Sequence, residues 1–200
     1  MKPVFIHLLM FVSLTGFSQT TISTIKVNEQ RIEKRIFELA KFGKDSSGNS
    51  YRVAYTKGDQ QGREYFISLM KKAGLEVTID YAGNIIGRRK GMNASLKSIA
   101  LGSHIDMVPR GGNYDGCVGS VGALEVIEVL NENNMLTEHP LELIIFSNEE
   151  GGTIGSSMLV KPYSVKELKA VSQSGLTIAE GLKAIGGNPD SLQKIVRNKG

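Results

Sequence analysis

The 200-residue chain is poor in the side chains that usually mark a staple or a nucleophile. Its one cysteine, Cys117, cannot form a disulfide within the chain, so stability has to come from a buried core. Histidine is as scarce, with only His7, His104 and His139. A cysteine–histidine catalytic pair is therefore a poor reading, and Cys117 reads as a small apolar residue where a helix begins. Neither charge sign dominates: the formal net charge is +4 and the pI is near 9.1. Lysine and arginine are spread along the chain apart from Gly87-Arg-Arg-Lys-Gly91, which reads as a solvated hairpin end rather than a nucleic-acid patch. There is no internal repeat, no low-complexity linker and, beyond the N-terminus, no apolar run long enough to span a bilayer. What remains is ordinary, 40% hydrophobic and 22% charged, enough for one domain with a core.

The N-terminus reads as a targeting segment. Lys2 precedes an apolar run from Val4 to Phe17, and small residues at Gly16 and Ser18 stand where a signal peptidase needs them. The expectation is a secretory signal over residues 1–18 and an exported chain, periplasmic or secreted, from residue 19 onward.

Along the rest, two periodicities alternate. Apolar residues at Ile32, Ile36, Leu39 and Ala40 predict an amphipathic helix over Asn28–Phe42, with Asn28 as its cap. A second helix is predicted over Asp59–Ala73, ended by Gly74. Glu76–Tyr81 and Ile85–Gly87 read as a hairpin turning at Gly83-Asn84. Ser98–Gly102 is a short strand, Val118–Leu130 a helix, and Leu141–Phe146 a continuous apolar run suited to a central strand. Helices are also predicted from Gly155, over Thr177–Ile185 and over Asp190–Val196. This alternation predicts an α/β fold, a three-layer sandwich with a mostly parallel central sheet.

Sites in such sheets lie beyond the carboxyl ends of the strands. His104 follows one predicted strand and Glu149-Glu150 follows another, so the two are expected to converge although about 45 positions separate them. Imidazole and carboxylate are ligands for zinc, manganese or cobalt. A doubled glutamate after an apolar run is hard to attribute to packing. Asp106 stands where a carboxylate could orient His104, or it caps a turn. Asp115, flanked by glycines and just ahead of the Val118–Leu130 helix, is either a metal bridge or a solvated Asp-Gly turn. Glu149 and Glu150 can take separate jobs only if the chain turns, which Gly151-Gly152 permits. The alternative is a pair of exposed carboxylates on a loop.

Taken together, Gly102-Ser-His-Ile-Asp-Met-Val-Pro-Arg-Gly-Gly-Asn-Tyr-Asp-Gly-Cys117 and on to Glu125, with Phe146-Ser-Asn-Glu-Glu-Gly-Gly-Thr-Ile-Gly-Ser156, resemble the two metal segments of hydantoinase/carbamoylase-type amidases. These include N-carbamoyl-L-amino-acid hydrolases, allantoate amidohydrolases and beta-ureidopropionases, within the dinuclear zinc exopeptidase clan. Asp80-Tyr-Ala-Gly-Asn-Ile-Ile-Gly-Arg88 resembles the hairpin before them. The resemblance runs from about Val27 to the end. It implies that His104, Asp115 and Glu150 ligate two divalent metal ions (zinc, manganese or cobalt), with Asp115 bridging. It makes Glu149 the general base and Asp106 the residue that orients His104. The implied reaction is hydrolysis of a linear amide or carbamoyl C–N bond in a small-molecule substrate.

The resemblance also implies absences. The family carries two further metal histidines and an inserted lid and dimerisation domain that this chain lacks, and His139, just before Pro140, is no substitute. The expectation is thus the N-terminal part of a metallohydrolase catalytic domain, weakly active or inactive by itself. The family homodimerises, which leaves the oligomeric state here open. An exopeptidase or aminoacylase of the same clan, and a non-catalytic binding protein, are the alternatives.

Overall fold

The computed structural model describes residues 25–197 apart from residue 162. The expected signal segment, residues 1–18, lies outside the described residues. Among the described residues no helix is long and apolar enough to cross a membrane.

The first two helices start where their caps predict. In α1 (Glu29–Leu39) the Asn28 side chain accepts from the backbone N–H of Arg31, and in α2 (Lys57–Lys72) Thr56 does the same for Asp59. Gly74, at φ +78°, then turns the chain out of α2 into a strand. The strands are β1 (Glu76–Ile79), β2 (Ile85–Arg89), β3 (Ile99–His104) and β4 (Leu141–Phe146), in the order β1-β2-β4-β3. Helix α3 (Cys117–Glu132) joins β3 to β4. Three short helices follow, α4 (Ile154–Met158), α5 (Val165–Leu168) and α6 (Ile178–Ala184), and then a 3₁₀ turn over Pro189–Lys194.

The sheet corrects one expectation: it is mixed rather than mostly parallel. β1 pairs with β2 and β2 with β4 antiparallel, and only β3 runs parallel to β4. The physical reason is connection length. A tight turn at Asp80–Asn84 can only join antiparallel neighbours, whereas the helical crossover through α3 permits the parallel pair. The apolar run of β4 reflects its central place in the sheet, not the direction of its neighbours.

One face of the sheet presents Leu141, Leu143, Ile145 and Ile85 to Ile36 and Leu39 of α1, Phe66 and Met70 of α2, and Val121, Leu124 and Ile127 of α3. A second cluster joins Tyr55 and Ala82 to Ile154 and Met158 of α4, to Leu182 of α6 and to Leu192. α1 is also fastened to α3 by charge. Glu125, wholly buried, accepts from the Asn28 N–H at 2.7 Å and from Arg31 Nε and Nη2 at 2.6 and 2.8 Å. A further correction concerns Gly87–Gly91. Arg88 and Lys90 are exposed, as a solvated end would have them, but β2 runs through Arg89, which pairs with Leu141 and is only 8% exposed.

Candidate functional site

The parallel pairing of β3 with β4 sets His104 opposite Phe146, so both strands end at the same edge of the sheet. The segment after β3 therefore lies beside the loop after β4. His104 is the last residue of β3 and is buried. Its carbonyl accepts from the Ser120 hydroxyl of α3 at 2.7 Å. The next carbonyl, Ile105 O, accepts from Nε of the fully buried Arg52 at 2.6 Å. Gly116, at φ +62°, backs the imidazole so closely that a Cβ there would overlap the ring.

Around this ring stand three of the expected carboxylates. Glu149 Oε2 lies 3.5 Å from His104 Nε2, and Asp115 Oδ1 lies 4.0 Å from the same nitrogen. On the other side, Nδ1 is 3.1 Å from the Asp106 carbonyl oxygen and 3.5 Å from its carboxylate. Asp106 does more than face the ring. Its two carboxylate oxygens accept from the backbone N–H of Glu149 at 3.3 Å and of Glu150 at 3.1 Å. Among the described residues Glu150 forms no ion pair with His104 within 4.0 Å; it lines a cavity of about 540 Å³ together with Ile154, Tyr163, Glu167 and Gln173.

The loop that carries the glutamates turns sharply. Asn148 and Thr153 take positive φ (46° and 53°), Gly152 has φ +114°, and the N–H groups of Gly152 and Thr153 both donate to the Glu149 carbonyl. The turn leaves Glu149 beside His104 and Glu150 lining the cavity. Burial by itself would lower the pKa of His104, but the Asp106 carboxylate and the Glu149 charge outweigh it and raise it to about 9. Burial and the neighbouring charges of Asp115, Asp106 and Glu149 raise that of Glu150, against the pull of His104. Burial also pushes the Cys117 thiol up, against the stabilising Arg52 guanidinium, whose Nη2 lies 3.2 Å from Sγ. Cys117 opens α3 as a packed, inert residue.

Two buried polar groups escaped sequence reasoning. The Tyr55 hydroxyl and the Asn148 Nδ2 have no partner among the described residues. Both residues hold left-handed backbone conformations, and only Asn148, inside the Phe146–Ser156 motif, carried any signal. His139 stays away from the site, with Nδ1 2.7 Å from the Lys97 carbonyl at the opposite end of β4.

Comparison with known proteins decides the family. Residues 84–185, just over half of the chain, match peptidase family M28. The chain belongs to that family. This M28 chain is 35% identical over 179 residues to an N-carbamoyl-L-amino acid amidohydrolase of Geobacillus stearothermophilus, an alignment covering 87% of the chain and 44% of the relative. It is 40% identical over 137 residues to a ureidoglycolate hydrolase of Arabidopsis thaliana, covering 68% and 29%. Among solved structures it is similar to a hydantoinase/carbamoylase family amidase from Burkholderia ambifaria, at 30% identity and a TM-score of 0.75, over 82% of the chain and 42% of that one. The M28 chain thus spans less than half the length of the relatives it matches, and its likeness to hydantoinase/carbamoylase amidases is the one read from its motifs.

Proposed function

We propose that this chain carries part of the active site of a hydrolase of linear C–N bonds in α-ureido acids, molecules with a carbamoyl-bearing nitrogen beside a carboxylate. The observation that supports this most directly is the meeting of His104, Asp106, Asp115 and Glu149 at the shared carboxyl edge of β3 and β4. The named activities of the relatives share that ureido chemistry.

One imidazole among carboxylates suits a divalent cation, with zinc, manganese and cobalt equally acceptable. The glycine at position 116 leaves room for the imidazole that a Cβ would remove. Among the described residues no group of three or more His, Cys, Asp or Glu side chains stands close enough to hold a metal as placed. His104, Asp115 and Glu150 would hold the cations. A bound cation supplies positive charge that polarises the substrate carbonyl and lowers the pKa of water. Glu149 takes a proton from the attacking water and returns it to the leaving nitrogen. Asp106 acts as a positioning residue: it faces Nδ1 of the imidazole and holds the backbone that carries both glutamates.

The test is metal content by plasma mass spectrometry beside hydrolysis of an N-carbamoyl-L-amino acid, on this chain and on a version lengthened to match its relatives. Metal uptake and turnover are expected in the longer form, with Glu149→Gln lowering kcat about 10²–10⁴-fold at unchanged metal content. Undiminished turnover in Glu149→Gln removes Glu149 as the base. Absence of metal and turnover in both forms leaves a non-catalytic binding protein. The family description favours a second reading, peptide hydrolysis, and a dipeptide cleaved faster than the carbamoyl substrate would establish it. Export rests on the Lys2-led apolar run, and N-terminal sequencing of protein recovered outside the cytoplasm should begin at Gln19.

A further inference from the structure

At the opposite end of the sheet lies a cavity of about 670 Å³, lined by Arg88, Arg89, Lys90, Asn131 and Leu136, with Glu76 its one acidic residue. β2 reaches this end at Arg89, opposite Leu141, the first residue of β4. The candidate active site lies beyond the last residue of β4, roughly 17–20 Å away along the strand.

Arg89 is the unusual member. It is 8% exposed, its Nε donates to Asn131 Oδ1 at 2.8 Å, and its Nη2 donates to the Met135 carbonyl at 2.6 Å. Both acceptors are neutral. Its Nη1 has no partner, and among the described residues no carboxylate forms an ion pair with it within 4.0 Å. A buried guanidinium normally has a counter-charge, because desolvating an unpaired cation is expensive. Nε and Nη2 are thus anchored, and Nη1 is left buried without a partner. Arg88 and Lys90, both exposed, flank the same cavity, and Glu76 sits across the strand pair from Arg88 rather than from Arg89.

We propose that this cavity is a binding site for a small anion bearing a carboxylate or phosphate group, seated against Arg89 and flanked by Arg88 and Lys90. Planar guanidinium recognises both groups by paired hydrogen bonds. The site is independent of the hydrolase reading.

The experiment uses the full chain, with inorganic phosphate and succinate as probes in titration calorimetry at constant ionic strength, against a chloride control. Amide chemical shifts report the location. Saturable binding of at least one probe is expected, with shifts confined to Arg88–Ala94 and Asn131–Leu136. Binding of phosphate alone assigns a phosphate ligand, and binding of succinate alone a carboxylate. Arg89→Gln should abolish binding. Because that substitution also releases Asn131 and Met135, the Arg88→Gln/Lys90→Gln pair is the fold-sparing variant, expected to weaken binding about tenfold. No saturable binding, unchanged affinity in the double variant, or shifts at His104 instead would each overturn the proposal.

Discussion

Glu125 offers the sharpest test of how the site's scaffold is held. Its side chain is fully buried on α3 and collects three donors from the start of α1, the Asn28 N–H and two nitrogens of Arg31. In Glu125→Gln the amide keeps one acceptor for Asn28 but turns its NH₂ towards a guanidinium. Breaking a buried ion pair from one side costs about 3–5 kcal/mol. Arg31 is 22% exposed and keeps Glu132 and Glu128 as partners, so its charge is not stranded. The expected loss is therefore about 2–3 kcal/mol. The chain has no tryptophan, so urea unfolding is best followed by far-ultraviolet circular dichroism, with the midpoint falling at unchanged slope. Glu132→Gln is the control: that side chain is 55% exposed, and its loss should leave the urea midpoint nearly unchanged. Arg31→Leu/Glu125→Leu should recover part of the loss, since a well-packed apolar pair often replaces a buried ion pair without cost. The pH sign is fixed too. Burial opposes ionisation of Glu125, but Arg31 and the Asn28 N–H outweigh it and hold its pKa below the ordinary value. A carboxylate with a depressed folded pKa contributes stability above its unfolded pKa, about 4.3, and loses it as pH falls through the folded value. Glu125→Gln should flatten that acid limb. A loss below about 1 kcal/mol, or an unchanged acid limb, would refute the view that this pair fastens α1 to α3.

Asp59 should behave with the opposite sign. Burial raises its pKa to about 6 against the pull of Arg63 and the Tyr55 N–H, so its contribution is full below about pH 4 and is lost as pH rises through 6. Asp59→Asn, which keeps an acceptor for Tyr55, should remove this fall and gain on the order of 2–3 kcal/mol at pH 8 in thermal melts; parallel pH curves for the two proteins would sink the idea. Gly116→Ala should cost at least about 1–2 kcal/mol from its left-handed backbone and shift the His104 ring resonances, because the new methyl overlaps the imidazole; unmoved resonances would show that the ring does not rest there. Gly102→Ala should weaken the β3–β4 pair, since its Cβ would overlap the Ile144 carbonyl at φ +144°, and faster amide exchange along β3 is the readout; unchanged protection would contradict the register.

Much of the fold was legible because its signals are local. The Asn28 cap and the Ile36–Leu39 spacing led to α1, Gly74 marked the end of α2, and Leu141–Phe146 is β4 residue for residue. Strand direction was not legible, because burial on both faces gives the same apolar run whether a neighbour is parallel or antiparallel. Helix α5 was missed at four residues, too short to show a period, although Ser164 and Glu167 form a capping box around it. The segment predicted as a helix over Asp190–Val196 is a 3₁₀ turn beginning at Pro189. Arg89 was misplaced by composition. A basic triplet between glycines reads as solvent-facing, yet its side chain runs inward because β2 alternates and the Asn131–Met135 loop closes over that end.

The site was legible in its parts and not in its joint. His-x-Asp spacing places Asp106 near Nδ1 by chain geometry alone. The partners of the Asp106 carboxylate are about 44 positions away, and nothing near Asp106 announces them. They become partners because the α3 crossover returns the chain parallel to β3, in the register that sets His104 against Phe146. The left-handed turn from Asn148 to Thr153 then aims two successive N–H groups at one carboxylate. A slip of one residue between β3 and β4 would present the other face of the strand and dissolve both contacts at once. The chemistry proposed for this edge thus depends on strand register as much as on the residues that carry it, and Asp106 is where the two meet.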